Sequence, residues 1–326
     1  MKRINIVAVI GLLSCALVIT NVMGQESQIH LQVIPERTIV FPAEPLRVRL
    51  ILTNHSKEAI EIYPFLPSTK SAILVKPPGD NWRYFVPFMG ISCVPYFFYT
   101  LAPGESKVHD LRLDIESGGK FLLTEPGDWL FMFNWSIRRP KGVISSSITI
   151  KVLQAPPDEI MALKEFLNIP NISVIMHYLN ADAGGEEAQK MLKEFTEKYE
   201  HSRYSNYAWF CIAKSMIPIV PLKKTRLPQH DPARALPIFL RLSNLSPNEF
   251  SLSGDALFYA AVCYYQIGDI KNSVTLLKSF VDKFPNAHLI IEAKNYYTNS
   301  IKTRLMRSLI IALSLIIRLT HRRRRR

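Results

Sequence analysis

Residues 254–285, GDALFYAAVCYYQIGDIKNSVTLLKSFVDKFP, decide how the second half of this chain folds. Leu257, Ala260, Ala261 and Tyr264 recur at three- and four-residue spacing, which puts them in one stripe along a helix. Gly268 and Asp269 then turn the chain. Ser273, Leu277 and Phe280 form a second stripe at spacings of four and three, and Pro285 ends the unit. A helical hairpin of this length cannot bury its own stripes, so it must stack on neighbours of its kind.

Those neighbours are legible upstream. The trio of a small residue, an apolar one four on and another three on occurs twice more. Ala188, Leu192 and Phe195 make one such trio, and Ala235, Phe239 and Leu242 make the other. Residues 194–208, EFTEKYEHSRYSNYA, align at one offset with residues 279–293, SFVDKFPNAHLIIEA, pairing Phe195 with Phe280 and Ala208 with Ala293. A repeated packing surface is therefore expected over residues 161–303. The unit at 254–287 resembles a tetratricopeptide repeat through Ala261, Tyr264, the turn Gly268, Ser273 and the closing Pro285. The resemblance implies an all-α solenoid of hairpins that binds a protein or peptide partner, and its helix ends are similar to repeats of bacterial envelope-assembly and Tol–Pal-associated proteins. This chain departs from the pattern in several places. The trios lie 47 and 38 residues apart, Ser273 replaces the commoner Ala, Glu200 replaces the closing Pro, and Pro237 is expected to interrupt its helix.

Ahead of the hinge at residues 154–160 the periodicity is that of strands. RVRLILTN at Arg47–Asn54 alternates, as do AIEIY, SAILVK, KVHDLRLDI and WLFMFNWSI, with turns at LAPGES (101–106) and TEPGDW (124–129). Seven to nine short strands over residues 25–153 predict an antiparallel β-sandwich. The strand, LxPGES turn and PG-plus-aromatic strand resemble Ig-like domains of exported bacterial proteins, which implies a spacer or binding module without catalytic residues. The aromatic segment 81–100 includes Trp82 and Tyr84. It reads as packing, with a carbohydrate or peptide platform as the competing interpretation.

The ends carry most of the charge. Of the net +13, nine positive charges come from residue 302 onward and two from Lys2 and Arg3, which leaves +2 over residues 25–301. A nucleic-acid-binding fold spreads its basic footprint over a folded face, so no nucleic-acid partner is expected. Residues 1–24 have the cationic start and apolar run of a signal peptide, with a retained anchor or lipidation at Cys15 as other outcomes. Export to a periplasmic or extracellular site follows from that reading. Residues 304–326 end in five arginines behind a twelve-residue, mostly apolar run. That is short of the roughly 17–25 residues that span a bilayer, so membrane contact and a cap on the last repeat are both open. The proline-rich insertion at 216–232 carries Lys223, Lys224 and Arg226 as a contact loop or an inert excursion.

No HExxH, GxSxG, phosphate loop or dinucleotide-binding glycine pattern occurs. Cys93, Cys211 and Cys263 have no spacing of a disulfide framework or zinc site. The eight histidines are scattered, and His109 and Asp110, adjacent in a strand, face opposite ways. A non-enzymatic protein without metal or cofactor is expected.

Overall fold

A computed structural model describes residues 28–65, 72–88, 98–217, 230–285 and 287–302. The chain divides into two compact units. One comprises most of the chain up to Leu153. The other comprises the chain from Gln154 onward together with Phe41–Pro45 and Gly118–Thr124.

The first unit holds two sheets. Strands β1 (Ile29–Pro35), β3 (Arg47–Asn54) and β8 (Ser106–Arg112) form one, in the order β1-β3-β8. The other is β2 (Ile39–Val40), β10 (Gly142–Val152), β9 (Gly127–Arg139), β4 (Ile60–Ile62) and β7 (Tyr99–Leu101), in that order. The thirteen-residue β9 organises this sheet. One edge pairs with β10 along Gly127–Ile137, and the other is shared between β5 (Ala72–Lys76) along Leu130–Asn134 and β4 near Ile137–Arg139. Strand β6 (Arg83–Phe85) pairs with β5.

The expected alternation sets the core. Leu46, Val48, Leu50 and Leu52 are all buried, as are Trp129, Phe131 and Phe133. One pairing departs from an all-antiparallel arrangement: the two-residue β2 runs parallel to the end of β10. Its brevity, with Phe41-Pro42 immediately after it, leaves too little alternation to be read as a strand.

His109 and Asp110 do face opposite ways. Asp110 receives Arg49 Nε at 2.7 Å on the outer side, while the His109 ring lies 5.4 Å from Phe65 and 6.5 Å from Trp135. Burial, opposed by neighbouring Asp110 and assisted by Lys107, holds the His109 pKa below its ordinary 6.5. The folded chain thus prefers the neutral imidazole, whereas the unfolded chain takes up a proton below about 6.5. Stability is full above that value and declines as pH falls from it toward the lowered folded pKa. Thermal melts stepped through mildly acid pH are expected to show this decline, and the His109→Gln variant a shallower one.

The second unit is helical: α1 (Ile160–Leu167), α2 (Ile172–Tyr178), a 3-10 turn at Ala181–Gly184, α3 (Glu186–Lys198), α4 (Arg203–Ser215), α5 (Pro232–Ser243), α6 (Ser253–Ile267) and α7 (Ile270–Lys283). A further helical stretch covers residues 290–302. Helix starts follow local chemistry. Ser202 accepts from the Tyr204 N–H, Asp231 from Arg234 and Asp269 from Asn272. Gly268, at φ 90°, closes α6 in the left-handed conformation its turn requires. Contrary to expectation, helix α5 runs through Pro237 instead of breaking there. Pro237 sits in the second turn, so only one early backbone bond is lost, and buried Ala235, Phe239 and Leu242 hold the helix on the core.

The helices fall into two kinds. Helices α3, α5 and α7 each show the apolar stripe of a half-exposed element. On α3 the buried stripe is Ala188, Leu192 and Phe195, with Thr196 buried beside it. On α5 it is Ala235, Phe239 and Leu242, and on α7 Ser273, Leu277 and Phe280. Leu192, at the middle of its stripe, is 0% exposed, like Phe239 and Leu277 at the equivalent places. Helices α4 and α6 are covered nearly all round: α4 has no exposed residue, and Ile267, 44% exposed, is the exception in α6. Buried Ser273 occupies the small-residue position of its stripe, and its hydroxyl has no protein hydrogen-bond partner. Ser273→Ala is expected to raise stability by about 1 kcal/mol, since it removes an unpaired buried hydroxyl and improves helix propensity. The midpoint of a urea titration checks this.

Candidate functional site

The helical unit concentrates its aromatic side chains on α4 and α6. Phe166 lies 5.5 Å from Phe195 and 5.6 Å from Tyr204. Phe210 packs on Phe239 at 5.5 Å and on Phe250 at 5.9 Å, while Tyr259 stacks on Phe239 at 5.5 Å. Phe258 continues the run to Phe280 at 5.7 Å and to Tyr296 at 5.9 Å. Residues 290–302 join the same core through buried Ala293 with Tyr296 and Tyr297 beside it. Their spacing of three and four is that of a helix face laid against α6 and α7.

The residues singled out in the sequence for repeat packing are placed as follows. Ala188, Leu192, Phe195, Ala235, Phe239, Leu242, Ala261, Leu277 and Phe280 are all buried. Each serves the interior of the helical unit, so none of them is itself a surface for a partner. Leu257 and Tyr264 are half-buried on α6, and Pro285 stands exposed in the turn after α7. Trp82 and Tyr84 are 42% and 74% exposed, so the aromatic segment does not use these two rings as core, whereas Phe85 is buried. The cause is register. Tyr84 pairs with Leu74, which pairs with Met132, and this row lies on the outer side of its sheet. Lys223, Lys224 and Arg226 lie outside the described residues, as do Cys15, Cys93 and residues 304–326.

Four residues that matter were not singled out in the sequence. The Glu44 carboxylate, 1% exposed, accepts from Arg203 Nη1 at 2.8 Å and from the Tyr207 hydroxyl at 3.1 Å through Oε1. Its Oε2 accepts from the Phe41 N–H at 2.9 Å. The Tyr204 hydroxyl donates to the Pro42 carbonyl at 3.1 Å, and the Arg203 guanidinium lies 3.6 Å from the centre of the Phe41 ring. Burial, and then the Glu44 charge, push the Tyr204 hydroxyl far above its ordinary pKa, so it stays a donor. A second acid, Glu159, accepts from the Ser202 hydroxyl at 2.5 Å and the Arg203 N–H at 2.8 Å, at the positive end of α4. The YSNYA run of α4 carried the clue of two tyrosines three residues apart. Its partner, 159 residues away from Arg203, gives no local signal.

Cys211 and Cys263 are buried and form no disulfide, and burial pushes the Cys263 thiol up to about 12, where it carries no thiolate at neutral pH. Among the described residues no group of three His, Cys, Asp or Glu gathers to hold a metal, and no helix is long and apolar enough to cross a membrane.

Residues 255–287 match the family described as Tetratricopeptide repeat. No curated protein matches the chain. Solved structures give distant likenesses. Spo0M, a sporulation control protein from Bacillus subtilis, is 15% identical over 44% of this chain and 56% of its own, with a TM-score of 0.28. A β-glucosidase from Erythrobacter marinus is 16% identical over 38% and 15%, at 0.25. The alkylpurine DNA glycosylase AlkC from Pseudomonas fluorescens is 11% identical over 43% and 34%, at 0.26. The chain thus spans little more than half of the first and far less of the others, and scores this low establish no shared fold. What stands is a β-rich unit followed by a helical unit containing a tetratricopeptide repeat, a repeat type that generally mediates contact between proteins.

Proposed function

We propose that this chain is a non-enzymatic exported protein whose helical repeats bind a partner protein, with the β unit as an Ig-like spacer or second binding surface. The tetratricopeptide repeat at 255–287 carries the reading. The repeated buried stripes of α3, α5 and α7 support its extension to a multi-repeat solenoid. Export rests on the cationic, apolar residues 1–24, and envelope association on the basic apolar end at 304–326. Fractionation of tagged full-length chain, with and without residues 302–326, tests compartment and anchoring together. The expected result is recovery outside the cytoplasm, with membrane association lost on removal of the tail. Recovery of both forms in the cytoplasm would refute export.

The exposure of Trp82 and Tyr84 favours a second reading, in which the outer face of the β unit binds carbohydrate or peptide. Glycan-array binding that is lost in Trp82→Ala and Tyr84→Ala would support it. An array without binding would remove it.

A further inference from the structure

Phe41–Pro45, sequence FPAEP, is held in the helical unit in the manner of a bound peptide. It forms a turn: the Glu44 N–H donates to the Phe41 carbonyl at 3.3 Å, Pro42 takes the second position, and Ala43 the third with φ 60°. This is the pattern of a type II turn, whose third position favours glycine. The Ala43 N–H donates in turn to the Leu123 carbonyl at 2.9 Å.

What α4 offers this turn is directional and polar, unlike the ring-on-ring packing of the rest of the helical core. Arg203 reads the Glu44 carboxylate and at the same time covers the Phe41 ring. Tyr204 reads a backbone carbonyl, that of Pro42, and Tyr207 reads the carboxylate again. Tyr207 is itself braced by the Ser251 hydroxyl at 2.9 Å. Aromatic ring, backbone carbonyl and acid are thus each met by a matching group, which is how proteins recognise short acidic peptides.

We propose that Arg203, Tyr204 and Tyr207 form a peptide-recognition site whose present occupant is the chain's own Phe41–Pro45 turn. The partner it fits is an acidic, proline-initiated turn of the same chemistry: an aromatic residue, proline, a small residue and glutamate. Occupancy by the chain's own turn makes the site self-blocked, because a tethered segment competes at an effective concentration on the order of millimolar. The inference rests on the reading of the helical unit as a protein-binding module and names the chemistry of what it binds.

A fluorescently labelled peptide of residues 39–47, IVFPAEPLR, is titrated into the full-length chain and into its Glu44→Ala variant. The variant is expected to bind about tenfold more tightly than the unaltered chain, since its own turn competes less well. A peptide with alanine in place of the glutamate is expected to bind on the order of tenfold more weakly than the original. Equal affinity for both chains, or no binding to a variant whose far-UV circular dichroism matches the parent, would overturn the proposal. If Glu44→Ala does not fold, the same peptides are added to the unaltered chain and hydrogen exchange is followed at the Ala43 and Glu44 amides. Faster exchange with the glutamate peptide alone supports the site, and unchanged exchange with both rejects it. Partner capture by the helical unit without peptide binding would remove this inference and leave the protein-binding reading intact.

Discussion

Arg203→Ala is expected to destabilise the helical unit by about 3–5 kcal/mol, among the largest effects of any single substitution in the chain. The loss removes the guanidinium that neutralises the Glu44 carboxylate, 1% exposed, from 2.8 Å away. The reverse change, Glu44→Ala, is expected to cost less, because the Arg203 side chain is 15% exposed and its long stem lets the guanidinium turn to water. The order of the two variants is therefore as informative as the magnitude. Thermal unfolding should show Arg203→Ala melting on the order of 10 °C below the parent, with Glu44→Ala between them.

Trp135→Ala is expected to cost the β unit about 3–5 kcal/mol. Trp135 is among the largest fully buried side chains, and its ring lies 5.2 Å from Phe65 and 6.5 Å from His109. Its indole N–H donates to the Tyr63 carbonyl at 2.8 Å, so truncation opens a cavity and also removes that hydrogen bond. The vacated space lies beside His109, and water admitted there would ease protonation of the imidazole. The acid-side decline in stability should accordingly be shallower in Trp135→Ala than in the parent, because the folded pKa of His109 moves back toward its unfolded value. Denaturant titrations at neutral and mildly acid pH measure both effects.

Local periodicity made much of the architecture legible. The spacing of Ala188, Leu192 and Phe195, repeated in two further trios, marked the buried stripes of α3, α5 and α7. Three- and four-residue steps leave few other ways to hide those side chains. The alternation of Val48, Leu50 and Leu52 marked the inward face of β3 for the same reason. Long-range pairing was not legible. Nothing around Glu44 announces an arginine at 203, and a buried acid in an FPAEP turn looks locally like any surface turn. The outward placement of Tyr84 was hidden as well, since an aromatic residue suits either face of a strand until its register with Leu74 is known. Pro237 does not interrupt α5, because a proline early in a helix removes a single bond, while the packing of Phe239 and Leu242 is kept.

The most direct test of partner binding through the helical repeats is quantitative cross-linking mass spectrometry on tagged full-length chain in its native host. It should be run beside Leu277→Asp, which breaks the core of the repeat, and Tyr84→Ala, which alters only an exposed ring. Partner cross-links are expected from exposed Lys271, Lys278 and Lys283 of α7, lost in Leu277→Asp and kept in Tyr84→Ala. Cross-links concentrated on Lys141 and Lys151 of the β unit, surviving Leu277→Asp and lost in Tyr84→Ala, would contradict partner binding by the repeats.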